Sequence, residues 1–296
     1  MTRESTVDTK TDRKFFLDCP ADLAPGQEVT FILNLHGGGS AGTWQRQYFP
    51  ACDFVDNYNL VVATPTAATA EPARRWVGEA DDEHLKNIVE YVFDRFGLES
   101  IRAFWLAGHS QGGLTSFRLL GSEWFADRVD GFLSLSGGRI GTAPRAEGAG
   151  RPRTEDEQVA AGARRARPSA GMPNADLSFI YAVGEHEIAS LPETSPWAEK
   201  YAAGARQQLP DVVDTEPGQV HDGRFDGVTR TSTPQWGLLP RPGTAKMWIY
   251  PDAKDGRVVA DAVRIDKGHT EGLEPKITEE LVKLITSAPG GKVRAR

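Results

Sequence analysis

Short apolar runs, each broken by glycine, proline or polar residues, constrain this chain more than any other feature. Thr30–Leu35 (TFILNL) runs into HGGGSAG, Leu60–Thr64 (LVVAT) stops at Pro65, and Ile101–Ala107 (IRAFWLA) meets GHSQGG. Gly131–Leu135 (GFLSL) and Phe179–Val183 (FIYAV) have the same character. Continuous apolar runs of this length, rich in β-branched and aromatic residues, read as strands buried on both faces. Helical patterns lie between them. Asp81–Phe96 places Leu85, Ile88, Val89, Val92, Phe93 and Phe96 on one face, and Gly97 ends it. Leu114–Leu120 reads as a second helix, Ala245–Tyr250 and Val258–Ile265 as a strand pair, and Glu274–Ile285 as a closing helix. The alternation predicts an α/β fold, a mostly parallel central sheet with helices on both faces.

Two stretches break the rhythm. Residues 139–176 are rich in Arg, Gly, Pro and Ala and include RRARP at Arg164–Pro168, while residues 190–241 are polar and rich in Pro and Gly. Irregular stretches of this length inside a compact domain are usually lids or functional loops. A length of 296 residues suits one such domain over 1–296, with both stretches as rim insertions. The basic cluster reads as a solvated loop. A net charge of -7 argues against nucleic acid as a partner, which needs a concentrated basic surface.

The polar start, MTRESTVDTKTDRK, lacks the apolar core of a secretory signal, and no later run has the length of a membrane span. The expectation is a soluble, cytoplasmic protein with no membrane partner. Cys19 and Cys52 have no metal-ligand spacing and read as small buried residues, so neither a metal nor a cofactor is expected.

Chemistry concentrates at three points. Gly108-His109-Ser110-Gln111-Gly112 fits G-x-S-x-G between a strand and a helix, where a sharp turn exposes a nucleophilic serine and its glycines avoid the neighbouring elements. His36-Gly37-Gly38-Gly39 follows another buried strand, and its amides can face the negative charge that develops in acyl transfer. His269 lies after the last strand, where the general base of such a site belongs. Other histidines compete poorly: His36 belongs to the glycine loop, His109 packs into the elbow, His84 reads as a surface residue of a helix, and His186 and His221 come too early. Glu185 and Glu187, after Phe179–Val183, are both candidates for the acid that orients the base, with Asp211, Asp214, Asp222 and Asp226 as outside choices. Trp44, Trp76 and His109 are candidate substrate contacts, and the rim aromatics together hint at an apolar or aromatic acyl pocket.

HGGGSAGTWQ, Arg75-Trp76 followed by GEADD, LAGHSQGG and KGHTEG together resemble the polyhydroxybutyrate-depolymerase and feruloyl-esterase branch of the α/β-hydrolases, from about Phe31 to Glu271. The resemblance implies the α/β-hydrolase fold and a serine esterase cleaving a carboxylic ester of a small molecule through an acyl-enzyme. It selects Glu187, third after Gly184, as the acid, and the amides of Gly38 and Gln111 as the oxyanion hole. His269 is followed by TEGLEP rather than the Trp-Pro pair common in that branch. A hydrolase or acyltransferase acting on a lactone, thioester, amide or polyester uses the same residues and is the alternative, with a non-catalytic binding protein behind it.

Overall fold

The computed structural model describes residues 1–24, 26–71, 73–140, 171–187, 191–222 and 233–295. The strands are β1 (Thr2–Asp8), β2 (Arg13–Cys19), β3 (Val29–Leu35), β4 (Leu60–Pro65), β5 (Ile101–His109) and β6 (Gly131–Leu135). They continue with β7 (Ser178–Gly184), β8 (Gln207–Gln208), β9 (Val212–Asp214), β10 (Gly243–Ile249) and β11 (Val259–Ile265). All join one 11-stranded sheet in the order β1-β2-β4-β3-β5-β6-β7-β11-β10-β8, with β9 alongside β10. From β4 through β3, β5, β6 and β7 to β11 every pairing is parallel, so these strands end along one edge. Open α/β sheets bind their ligands at that carboxyl edge.

Helices cover both faces. Along β3, Phe31, Leu33 and Leu35 join one core with α3 (Gly78–Phe96) and α4 (Gln111–Leu120), while Ile32 points into the other. That second core holds Tyr48 of α1 (Gly42–Tyr48), Val55 of α2 (Val55–Tyr58) and the buried stripe Ile277, Leu281, Val282 and Ile285 of the last helix (Pro275–Ser287). Strand residues pointing alternately to opposite faces explain why one continuous apolar run feeds two cores. The expected strand pair near the end is the antiparallel β10–β11.

Two features depart from the sequence expectation. Residues 2–19, which carried no predicted element, form the antiparallel hairpin β1–β2 that extends the sheet past β4. His84 is not a surface residue: it is fully buried, with Nδ1 2.9 Å from Asp8 Oδ2 and 3.2 Å from Thr11 Oγ1, and so ties the hairpin to α3. Cys19 and Cys52 are buried and unpaired. Of the two predicted insertions, residues 141–170, 190 and 223–232 lie outside the described residues. Among the described residues no helix is long and apolar enough to cross a membrane.

Candidate active site

Ser110 follows β5 directly and opens α4, with φ 51° and ψ -114°. Its amide donates to Leu135 O at 2.8 Å, which fixes the turn against β6. The flanking glycines have a steric cause. A Cβ on Gly108 would lie 2.4 Å from the carbonyl carbon of Gly112, and one on Gly112 would lie 2.3 Å from Leu35 O. The helix can start this close to the sheet only where both side chains are absent. Ser136 and Asp266, directly after β6 and β11, also have left-handed backbones, at φ 56° and 57°.

β7 and β11 are parallel neighbours, so the loops after them meet. Gly184 makes the approach possible, since a Cβ there would stand 2.4 Å from Lys267 O. Glu187 hydrogen-bonds His269 Nδ1 through Oε2. Its Oε1 accepts from Ser136 Oγ and from the Gly184 amide, both at 2.9 Å, so the carboxylate is held from both sides. Glu185 turns away and accepts from the Asp266 amide at 2.8 Å. His269 is fixed at its backbone as well. Its carbonyl accepts from His109 Nε2 at 2.8 Å and from Tyr48 Oη at 3.3 Å, and its amide donates to Gln235 O at 3.0 Å. The rings of His109 and Trp236 flank its imidazole at 4.8 and 5.3 Å between centroids.

Beneath this loop lies a buried ionic cluster that the sequence did not announce. Arg264 donates to Glu271 O at 2.6 Å, to Gly272 O at 2.7 Å and to Glu274 Oε2 at 3.1 Å. Lys267 Nζ lies 2.7 Å from Glu274 Oε1, and Glu271 Oε1 accepts from the Gly268 amide at 3.0 Å. Burial alone would raise the Glu274 carboxyl, but Arg264 and Lys267 hold it below its ordinary value. Such paired and hydrogen-bonded charges fix loop geometry even where their net contribution to stability is small. Its one signal in the sequence is Arg264, a charged residue inside a mostly apolar strand.

The HGGG loop is clamped from outside by Ala67, Arg74 and Trp76. His36 donates from Nδ1 to Gly37 O at 2.7 Å and accepts at Nε2 from the Ala67 amide at 3.0 Å, which sets its neutral tautomer. Burial lowers its pKa to about 4. Trp76 Nε1 donates to His36 O at 2.8 Å, and the Trp76 amide donates to Gln111 Oε1 at 3.2 Å. Gly39 N donates to Arg74 O at 2.6 Å. Among the described residues, neither the Gly38 amide nor the Gln111 amide donates to a protein acceptor. The Gln111 amide is one of the unpaired donors that every helix N-terminus presents.

Ser110, His269, Gly38, Trp44 and His109 line one cleft of about 390 Å³, together with Arg74, His221, Asp222 and Trp236. Gln111 stands at its edge, with its side chain against Gly38. Trp76 is not in the wall. It is buried under the HGGG loop, so it braces that loop rather than meeting a substrate. His109 donates from Nε2, leaving Nδ1 as a bare acceptor, and burial holds its pKa well below the ordinary value. Among the described residues Ser110 Oγ forms no hydrogen bond; contacts of this kind commonly tighten when substrate binds.

A six-strand parallel core, a strained serine between strand and helix, and a histidine–carboxylate pair on the loops after later strands decide the architecture. The chain has the α/β-hydrolase fold. A solved structure agrees on that point: acetyl xylan esterase from Aspergillus awamori is similar over 97% of this chain and 100% of that one, at 13% identity and a TM-score of 0.52. Weaker similarities extend further. TT1662 from Thermus thermophilus aligns over 100% of both chains at 15% identity and a TM-score of 0.48. An esterase of Thermogutta terrifontis, Est2, aligns over 62% of this chain and 70% of its own at 16% identity and a TM-score of 0.39. No protein-family model matches the chain, and no curated protein matches it. Within this α/β-hydrolase fold, Ser110, Glu187 and His269 occur in the chain order Ser, acid, His that the fold uses.

Proposed function

We propose that the protein is a serine esterase that hydrolyses a carboxylic ester through an acyl-enzyme. The Glu187–His269 pair supports this reading most, because its histidine lines the same cleft as Ser110. In this mechanism Ser110 Oγ attacks the carbonyl carbon as its proton passes to His269 Nε2. The tetrahedral oxyanion receives the amides of Gly38 and Gln111, donors that no acceptor among the described residues occupies. Collapse expels the alcohol, which takes the proton from His269 and leaves the acyl group on Ser110. Water then attacks with His269 as base, the carboxylic acid leaves, and the proton returns to Ser110. Glu187 accepts from Nδ1–H throughout, selecting the tautomer whose Nε2 faces the serine and stabilising the imidazolium.

The resemblance of the HGGG, GHSQGG and KGHTEG segments to the polyhydroxybutyrate-depolymerase and feruloyl-esterase branch belongs to this reading. The test is hydrolysis of p-nitrophenyl acetate by the full chain. Ser110→Ala should fold and lose at least about three orders of magnitude in kcat/KM. A variant with near-normal turnover would remove Ser110 as nucleophile.

A further inference from the structure

The cleft contains a cation that the mechanism does not use. Arg74 reaches it from a segment whose two sides meet in an antiparallel bridge between Thr69 and Arg75. Arg75 is exposed and Trp76 buried, while Arg74 lines the cleft, and its carbonyl is fixed to the HGGG loop by Gly39 N. Among the described residues its side chain makes one hydrogen bond, from Nη1 to Ala67 O at 2.7 Å, and no salt bridge. A guanidinium has five N–H donors in a planar fork suited to a carboxylate, so most of that capacity is unused. Asp222 also lines the cleft.

Two further observations point to a ligand. Ser40 Oγ, in the lining beside the HGGG loop, is buried and has no hydrogen-bond partner among the described residues. Buried polar atoms are ordinarily satisfied, and those left over in a cleft are candidates for a ligand to satisfy. The described lining also contains no Leu, Ile, Val, Met or Phe, and only Trp44 and Trp236 offer broad apolar surface. The broad walls it offers an acyl group are therefore aromatic, in keeping with the apolar or aromatic acyl pocket expected from the rim aromatics. The chain as a whole carries a net charge of -7 and so repels anions at long range. A cation with spare donors inside this cleft therefore discriminates locally.

We infer that the ester accepted by this cleft carries a carboxylate, as in a dicarboxylic monoester or an acylated hydroxy acid. Arg74 binds that carboxylate through its free N–H groups, with Ser40 Oγ donating beside it. This rests on the serine-esterase reading and names its substrate class. Two matched pairs of esters test it: monoethyl succinate against ethyl levulinate, and acetoxyacetate against acetoxyacetone. Each pair exchanges a carboxylate for a neutral methyl ketone of similar shape, the first in the acyl group and the second in the alcohol.

The enzyme should favour the anion in at least one pair. Arg74→Gln should lower that preference on the order of 10- to 100-fold, the scale of a hydrogen bond to a charged group. Arg74→Lys should restore part of it. Succinate should also slow labelling of Ser110 by a fluorophosphonate in the parent protein and lose that effect in Arg74→Gln. Equal or neutral-favouring rates in both pairs, with no protection by succinate, would overturn the inference and leave the esterase reading intact. No turnover of any ester and no labelling of Ser110 would remove both.

Discussion

Ser110 takes a backbone conformation that a residue with a Cβ adopts at a cost of about 1–3 kcal/mol. The surrounding bonds must hold it there, and the contact of its amide with Leu135 O is one of them. The two glutamates differ at the same scale. Both lie in a single 3-10 turn, Glu185–Glu187. Successive residues there rotate by about 120°, so positions two apart diverge instead of sharing a side as in an extended chain. Glu187→Gln should therefore reduce kcat by several orders of magnitude, because the amide can favour the wrong histidine tautomer. Glu185→Gln should stay within a few-fold of the parent, since among the described residues its exposed carboxylate meets only the Asp266 amide. Steady-state kinetics of both variants, with His269→Ala as reference, would sink the assignment if Glu185→Gln were the crippled one. The residues left both open in the sequence because turn type is not encoded in the spacing; the resemblance alone separated them.

Elements meet at distances set by their glycines. The contact of α4 with the end of β3 is a sharp test, because a Cβ on Gly112 would lie 2.3 Å from Leu35 O and 2.8 Å from His36 O. Neither backbone carbonyl can rotate aside, so Gly112→Ala should cost about 2 kcal/mol or more in urea unfolding, the scale of overpacking. Gly78, at the start of α3, is open: a methyl group added there would meet nothing within 4 Å. Gly78→Ala should be neutral or stabilise by up to about 1 kcal/mol. Equal effects at the two sites would refute the steric account. The central strands were legible because residues such as Phe31 to Leu33 are apolar on both faces. The hairpin β1–β2 was not, because the exposed and half-buried positions of β1 are filled by residues such as Arg3, Glu4 and Thr6, and Glu4 is satisfied by Arg95. The charged cluster under His269 was hidden for a related reason: Arg264, Lys267 and Glu274 read as surface residues until folding buries them together.

At the scale of the whole molecule, His36, His84 and His109 are buried with lowered pKa, each chiefly because burial penalises the charged ring. In the unfolded chain they take up protons near pH 6.5, while the folded state resists. The stability they permit is therefore complete above about pH 6.5 and falls as the pH drops. For His36, whose folded pKa is about 4, the loss by pH 4.5 is roughly 2–3 kcal/mol. Urea midpoints at pH 7 and pH 4.5 should separate less in His36→Gln than in the parent. An identical separation would exclude His36 as a source of acid sensitivity. The left-handed residues at the ends of β5, β6 and β11 bear on a different question. Ser110, Ser136 and Asp266 are places where glycine or asparagine suits the backbone better, yet Ser110 faces the cleft and Ser136 steadies Glu187. A lineage screened only for robustness would drift toward those easier residues and lose the cleft while keeping the sheet, so the chemistry of this chain is more fragile in heredity than its architecture.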